Sequence, residues 1–273
     1  MNRLFLAATL TLGIWSGMTH AADKVIAGIE ASFPPWAYVE KGEVKGIAID
    51  AMKEIAKSQD LEVEFQDLPW PSLIPSLAGQ KIDLIVTGLN VTETRAKVLD
   101  FAIPWWQNND EVLIPRNSDK NVVTALCCNA SVGAQGGGTQ FEWLNRNLVK
   151  NDVGVTLRSY EDLITAIEDM HAGRLQAVVT STDTAEDLIA KGQPIKIAGT
   201  IIQNQPQALA VKKGDPKGLL PKLNAGILAL NRSGQWEKIV HQYSPQSTIR
   251  PIPAYMPDYV QSYKAPIPGY TAE

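Results

Sequence analysis

The stretch KIDLIVTGLNVTETRAKVL, residues 81–99, contains the most informative pattern of this chain. Its first half holds Ile82–Val86, a short apolar run typical of a buried strand. In its second half Thr92 suits the N-cap of a helix, Glu93 suits the positive helix end, and Arg95 lies in the first turn. We therefore predict a buried strand that runs directly into the N-terminus of a helix.

A second junction of the same kind follows the strand-like segment Ser131–Gln135. There the glycine run 136–138 and Thr139-Gln140 lead into another helical pattern. Glycines let a ligand approach the backbone closely, and helix N-termini offer free N–H groups to an anion. A nucleotide-binding P-loop is excluded, because it needs Lys and then Ser or Thr after the last glycine.

The two junctions are expected to face each other across one site. Open α/β sheets bind ligands at the carboxyl ends of their strands, and each junction lies at such an end. We expect an anion there, held by the forked guanidinium of Arg95, and a carboxylate fits that fork well. The alternatives are that Arg95 is an ordinary exposed helix residue and that the glycine run is a flexible loop.

Strand-like and helix-like segments alternate along most of the chain. Lys24–Ile29 is typical of a strand, and the helical spacing of Ile49, Met52 and Ile55 follows it. This alternation predicts an α/β fold with mainly parallel sheets. Two strand-like segments, Glu111–Pro115 and residues 208–211, break the rhythm, and we interpret them as crossings between two lobes.

The N-terminus is typical of a signal peptide, with Arg3 before the apolar run Leu4–Ile14 and small residues after it. We expect cleavage near Ala21 or Ala22 and export to the periplasm. The alternative is a membrane anchor, but the apolar run is shorter than the roughly 18 residues that a span needs.

Composition excludes several classes of function. The formal net charge of −4 gives no electrostatic reason to bind nucleic acid. The only cysteines are Cys127 and Cys128, and past the leader the only histidines are His171 and His241, so we expect no zinc site, no other metal and no cofactor. We interpret the adjacent cysteines as two thiols, with a vicinal disulfide as the alternative.

Aromatic residues stand out in the loop 30–38, EASFPPWAY, where prolines stiffen the chain. Phe33, Trp36 and Tyr38 offer rigid apolar faces there, and Trp70 stands between two prolines in another loop. Small-ligand pockets use such aromatic walls. The alternative is an ordinary core position, and for Trp36 and Tyr38 both interpretations stay open.

Four motifs together resemble the periplasmic solute-binding proteins of polar amino-acid ABC transporters, known as bacterial extracellular solute-binding protein family 3. From the N-terminus, in the order that the family shows, the motifs are FPPWAY, GQKIDLIVTGLNVTETRAKVLDFAIPWW, VGAQGGGTQ and GILALNRSGQWEKIVHQY. The resemblance implies a two-lobed periplasmic-binding-protein fold that closes on its ligand. Each lobe would be a mainly parallel sheet flanked by helices, and two hinge strands would join the lobes.

This resemblance also divides the chain. We expect a signal peptide over 1–22, the first part of lobe 1 over 23–111, lobe 2 over 112–207, the second part of lobe 1 over 208–249, and a tail rich in Pro and Tyr over 250–273.

The resemblance to the family implies which residues would contact the polar end of the ligand. Arg95 would clamp an α-carboxylate, assisted by Thr139. Gly88 and Asn90 fall where family members contact the α-amino group.

The remaining site residues would surround the ligand side chain. Phe33 and Trp70 fall where aromatic residues sandwich it, Glu30 stands where many members have an Asp that faces the ligand, and Gln135 begins the loop of lobe 2.

One departure bears on the ligand. Family members usually place an Asp after the strand that we predict over 176–180, where it pairs with the α-ammonium group; here Ser181 stands at that position and Asp183 follows two residues later. Either Asp183 reaches the site, or the ligand lacks a free α-ammonium group.

The sequence thus predicts a monomeric binding protein and not an enzyme. It would capture a small carboxylate-bearing solute, an amino acid or a derivative, and deliver it to an inner-membrane ABC permease by hinge closure. The alternative is a dehydratase-like periplasmic enzyme on the same scaffold, which would need an acid with a perturbed pKa, such as Glu30 or Asp183.

Overall fold

The computed structural model describes residues 23–245 and 247 of the chain. The predicted signal peptide over 1–22 and the predicted tail over 250–273 lie outside the described residues, and both stay predictions.

Strands and helices alternate as the sequence predicts. The strands are β1 Asp23–Ile29, β2 Ser32–Phe33, β3 Ala37–Glu40, β4 Glu43–Lys45, β5 Leu61–Asp67, β6 Leu84–Ile85, β7 Leu99–Phe101, β8 Trp106–Pro115, β9 Ala130–Gln135, β10 Val155–Tyr160, β11 Ala177–Ser181, β12 Ile195–Gln207 and β13 Ala210–Lys212. The helices are α1 Ile47–Ser58, α2 Trp70–Ala78, α3 Glu93–Ala96, α4 Val122–Ala125, α5 Thr139–Leu144, α6 Leu163–His171, α7 Thr182–Ala190, α8 Leu219–Arg232 and α9 Gln235–Tyr243, with a π-helical turn Asn145–Val149 after α5.

Two five-stranded sheets define two lobes, which confirms the predicted α/β class. The sheet of lobe 1 has the order β5-β1-β6-β13-β7, and that of lobe 2 has the order β10-β9-β11-β8-β12. In each sheet the first three strands pair in parallel, as strand–helix–strand units require. The last two strands pair antiparallel, so both sheets are mixed.

Strands β8 and β12 form the connection between the lobes. They pair antiparallel from Trp106 opposite Gln207 to Pro115 opposite Ile195, with irregular register between. Their first pairs lie beside lobe 1, where the Trp105 N–H donates to the Gln207 carbonyl, and their last pairs lie within the sheet of lobe 2. We propose that the predicted boundaries at 111/112 and 207/208 divide the lobes along this ladder.

Four tryptophans form the centre of the lobe 1 core beside the connection. Trp36, Trp105, Trp106 and Trp236 are each at most 3% exposed, and neighbouring ring centroids lie 5.5–6.1 Å apart. Trp36 is therefore a core residue, which decides between its two interpretations. Half-buried Tyr38 packs edge-on against another ring of lobe 1 and not into a ligand cavity.

The adjacent cysteines Cys127 and Cys128 form a vicinal disulfide in the turn between α4 and β9. The preference for two thiols was therefore wrong in this structure. The turn lies at the amino end of β9, whereas ligands of such sheets bind at the carboxyl end.

Among residues 23–245 and 247, none of the helices combines the length and the apolar composition that crossing a membrane requires. Within the same ranges, His, Cys, Asp and Glu side chains form no group of three or more that is placed to hold a metal ion.

Candidate functional site

A cavity lies between the two lobes, at the carboxyl ends of β1, β9 and β11 and beside the loop after β6. Eight of the nine predicted site residues line it: Glu30, Phe33, Trp70, Gly88, Asn90, Arg95, Gln135 and Thr139. Seven further lining residues are not among the nine predicted site residues: Gly138, Gln140, Leu163, Val179, Thr180, Ser181 and Gln207.

Arg95 is a buried cation at this cavity. The Thr92 hydroxyl caps α3 by accepting from the Arg95 backbone N–H at 3.2 Å, which holds the side chain in the first turn. Its Nη1 donates to the Asn90 carbonyl at 2.9 Å and its Nη2 to the Gly137 carbonyl at 3.3 Å, and its guanidinium lies 5.4 Å from the ring centroid of Trp70. Arg95 is 8% exposed, so it is not the exposed helix residue of the alternative interpretation.

Among the described residues, the charge of Arg95 has no direct counter-charge. Within the described residues, no carboxylate forms an ion pair with it. Burial lowers the pKa of Arg95 to about 10, and the nearby Asp110 opposes that shift. A buried cation that meets only carbonyl oxygens is a site to which an anion would be attracted.

Glu30 is a buried acid at the same cavity and is 2% exposed. Its Oε1 accepts from the Gln135 side-chain amide and from the Ser32 hydroxyl, the latter at 3.4 Å. Its Oε2 has no hydrogen-bond partner among the described residues. Burial raises the pKa of the Glu30 carboxyl to about 7. The cavity thus combines one buried cation with one buried acid that has an oxygen available to a ligand.

Replacing Glu30 by Gln is expected to change how stability depends on pH. Burial raises the pKa of Glu30 from 4.5 to about 7, so the folded chain keeps a proton that the unfolded chain releases between these values. This contribution is complete below pH 4.5 and is lost as the pH rises through 7. Urea unfolding at pH 4.5 and at pH 8 measures this effect. Between these pH values the free energy of unfolding of the wild type should fall by at most about 3 kcal/mol more than that of Glu30→Gln.

Glu93→Gln is the control for this measurement, because Glu93 is an exposed carboxylate of the same lobe. A difference between the wild type and Glu30→Gln that does not vary with pH would contradict the assignment.

The glycine loop of lobe 2 approaches lobe 1 closely. Gly137 has a φ of 75°, which disfavours a side chain there, and a Cβ on Gly136 would lie 2.4 Å from the Ser159 hydroxyl, which would have to turn away. The loop is therefore a defined structure and not a flexible spacer. Since α3 and α5 contain only four and six residues, we assign the attraction for an anion to Arg95 and not to these helix ends.

Asp183 is the one predicted site residue that the structure does not place at the cavity. It is 4% exposed in the first turn of α7, and its Oδ2 accepts from Trp106 Nε1 at 2.7 Å and from the Asn108 side-chain amide. Both donors belong to β8. Asp183 therefore fixes α7 to the connection between the lobes, and Ser181 lines the cavity in its place.

Gln207 is the most informative residue that sequence reasoning missed. It ends β12, is 2% exposed, and donates through Nε2 to Asn90 Oδ1 at 2.9 Å. Its Oε1 has no hydrogen-bond partner among the described residues. Gln140 could have been predicted, since it follows Thr139 in the glycine motif. Gln207 could not, because the sequence of β12 shows no clear alternation of apolar and polar residues.

Comparison with known proteins gives a family match over most of the chain. The model of the bacterial extracellular solute-binding proteins, family 3, matches residues 25–246. The chain is 24% identical over 222 residues to the L-cystine-binding protein TcyJ of Escherichia coli (strain K12), covering 80% of this chain and 82% of that protein. It is 27% identical over 252 residues to the ABC transporter arginine-binding protein 1 of the same strain, covering 90% and 100%.

Solved structures agree with this match. An ancestral arginine-binding protein bound to arginine has a TM-score of 0.76 and 29% identity, covering 82% of this chain and all of that chain. The ancestral amino acid-binding protein AncCDT-1, a precursor of cyclohexadienyl dehydratase, has a TM-score of 0.73 and 24% identity, covering 81% and 95%. At that identity the second likeness concerns the fold alone.

Proposed function

This chain belongs to the bacterial extracellular solute-binding proteins, family 3, and we propose that it captures an amino acid or a close derivative in the periplasm for an inner-membrane ABC permease. Relatives named for L-cystine and arginine binding support the class of ligand, and one of them is named as part of an ABC transporter. The observation that carries the proposal is the buried Arg95, which has no carboxylate partner among the described residues.

The ligand carboxylate is proposed to bind Arg95. A guanidinium has five N–H groups in a planar fork, and two of its nitrogens here donate to backbone carbonyls. The remaining donors suit one carboxylate, and Thr139 of lobe 2 supports this clamp through its hydrogen bond with Asn90. The ring of Trp70, whose centroid lies 5.4 Å from the guanidinium carbon, adds a cation–π contact to Arg95.

The rest of the ligand is proposed to carry a hydrogen-bond donor or a positive charge. Glu30 Oε2 and Gln207 Oε1 are buried acceptors at the cavity, each without a hydrogen-bond partner within the described part of the chain. Such atoms are costly unless a donor reaches them. Phe33 and Leu163 provide apolar surface between the lobes for the carbon chain of the ligand.

Capture is proposed to work by closure of a monomer. Three hydrogen bonds already join the lobes at the cavity: Asn90 to Thr139 at 2.7 Å, Arg95 to Gly137, and Gln135 to Glu30. A ligand favours the closed form only by the difference between its affinities for the two forms, so contacts to both lobes are required. We propose a signal peptide cleaved near Ala21 or Ala22 as the route to the periplasm.

A ligand screen tests this function. The chain without its predicted signal peptide is refolded to remove co-purified solute, then its melting temperature is measured with each common L-amino acid, L-cystine, and organic acids without an ammonium group. A ligand at 100 times its Kd should stabilise the fold by about 2.7 kcal/mol. A shift with an amino acid is expected. Shifts only with acids that lack an ammonium group would refute the amino-acid part, and no shift at all would refute the proposal.

Thr139→Ala is expected to weaken binding of the amino acid found in the screen. The variant loses one hydroxyl that accepts from Asn90 across the cavity, so the cost should be about 1 kcal/mol, or roughly a fivefold rise in Kd. Isothermal titration measures it, and Thr139→Ser, which keeps the hydroxyl, should bind within about twofold of the wild type. Equal affinities for Ala and the wild type would contradict the role of Thr139.

An enzymatic role is the second candidate, and one observation favours it. Burial raises the pKa of Glu30 to about 7, which suits a general acid. We propose binding without turnover, because the curated relatives are named as binding proteins. Incubation with prephenate should give no product, and product formation that Glu30→Gln abolishes would establish the enzyme instead.

A further inference from the structure

Five polar side chains beside the ligand cavity form one closed ring of hydrogen bonds. Asn90 Nδ2 donates to Thr139 Oγ1 at 2.7 Å, and the Thr139 hydroxyl donates to Gln140 Oε1 at 3.4 Å. Gln140 Nε2 donates to Asp110 Oδ1 at 2.6 Å. Gln205 Nε2 donates to Asp110 Oδ2, and Gln205 Oε1 accepts from Asn90 Nδ2 at 3.2 Å, which closes the ring.

The ring joins both lobes and both strands that connect them. Asn90 belongs to lobe 1, Asp110 to β8 and Gln205 to β12, while Thr139 and Gln140 begin α5 of lobe 2. Three of its members line the cavity, but Asp110 and Gln205 lie outside it. Asp110 does not line the cavity, so we expect it to act through its neighbours and not by touching a ligand.

Asp110 determines the direction of each hydrogen bond in the ring. An ionised carboxylate only accepts, so both glutamines must turn their NH₂ groups toward it. Their oxygens then face Asn90 on one side and Thr139 on the other, and these oxygens accept from both. Burial raises the pKa of Asp110 to about 6, which leaves the carboxyl ionised at pH 8.

We infer that Asp110 is a positioning residue that orients Asn90 and Thr139 across the cavity and thereby holds the two lobes closed. The inference rests on the proposed function, since it assigns to Asp110 the alignment of the closed binding site. It extends the site to a buried residue that no ligand would contact directly.

Asp110→Asn reverses part of this order. The Asn side chain has one acceptor oxygen and one donor NH₂ group. One of the two glutamines therefore points its own NH₂ group at the NH₂ group of Asn and has to turn around. Turning Gln205 breaks its bond to Asn90, between β12 and lobe 1. Turning Gln140 removes the acceptor of the Thr139 hydroxyl, within α5, so the proton of that hydroxyl is no longer directed. In either case one of the bonds that orient Asn90 and Thr139 is lost.

The double variant Asp110→Asn, Gln205→Glu should restore the ring, with the carboxylate now at position 205 and an amide at position 110. The amide introduced at position 110 would donate to the carboxylate introduced at position 205 and accept from Gln140. The second oxygen of that carboxylate would accept from Asn90. Net charge is unchanged, and a role of Asp110 in packing alone does not predict this rescue.

Glu111→Gln is the matched control, because Glu111 is a neighbouring buried acid of β8. Its two oxygens accept from the hydroxyls of Thr182 and Thr200, each at 2.8 Å. A hydroxyl can rotate to donate or accept, so an amide at position 111 should be accommodated.

Hydrogen exchange with mass spectrometry on ligand-free protein at pH 8 tests the inference in residues 87–92 and 136–142. In Asp110→Asn both segments should exchange about fivefold faster, the factor expected for the loss of one hydrogen bond. The radius of gyration from X-ray scattering should rise as well. The double variant and Glu111→Gln should stay within about twofold of the wild type.

Wild-type protection in Asp110→Asn, or a double variant that exchanges as fast as Asp110→Asn, would overturn the inference. Faster exchange in Glu111→Gln would also overturn it, since the effect would then follow from the loss of any buried acid in β8. Because no ligand is added, a failed ligand screen refutes the proposed function without altering this result.

Discussion

Arg95→Ala is expected to weaken binding of the amino acid found in the screen by about 2–5 kcal/mol, which is on the order of a 30-fold to 5000-fold rise in Kd. The reason is that Arg95 is 8% exposed and meets no carboxylate among the described residues, so a bound anion would be its first direct counter-charge. Truncating one partner of a buried charge pair also leaves the other charge unpaired, which adds to the loss.

Isothermal titration of Arg95→Lys separates charge from geometry. Lys keeps the positive charge but lacks the planar fork, so its Kd should lie between those of the wild type and Arg95→Ala. Arg174→Ala is the matched control, since Arg174 is an exposed arginine that pairs with Asp169 away from the cavity. An Arg95→Ala variant with the wild-type Kd and a folded circular-dichroism spectrum would refute the carboxylate clamp.

Trp36→Ala is expected to lower the free energy of unfolding by about 3–5 kcal/mol, the range for removal of a large aromatic side chain from a core. Trp36 is 0% exposed, and its ring centroid lies 6.1 Å from that of Trp105 and 5.6 Å from that of Trp106. Because it stands in the loop that also carries Phe33, the cavity left behind should weaken ligand binding as well.

Urea unfolding followed by circular dichroism measures this effect, since the loss of a tryptophan would complicate fluorescence. Trp143→Ala is the control, because Trp143 is a half-buried tryptophan of lobe 2 and should lose less. A loss below about 1 kcal/mol for Trp36→Ala would show that the four-tryptophan cluster does not stabilise lobe 1.

The site could be predicted where short-range patterns identify it. The buried strand before Thr87 and the N-cap Thr92 place Arg95 at the end of a strand from local sequence alone, whereas Gly88 and Asn90 were assigned to the site through the family resemblance. The glycine run places Thr139 in the same way. Strand ends of an α/β sheet lie at one edge, so residues from distant junctions are expected to meet there, and the structure brings them to one cavity.

Gln207 and Asp110 show why other parts of the site could not be predicted. Both lie on the long strands that connect the lobes, where irregular register interrupts the two-residue alternation of side chains. The alternation of side chains then no longer indicates which residues line the cavity and which contact the residues behind its lining.

The sequence by itself determined the α/β class, the two junctions and the placement of Arg95, because these depend on capping, burial and periodicity within a few residues. The fold was needed to show that Asp183 accepts from Trp106 outside the cavity lining, and that Asp110 accepts from two glutamines of different segments. The physical reason is that the partner of a buried polar group is chosen by distances and directions between segments far apart in the chain, which no local pattern records.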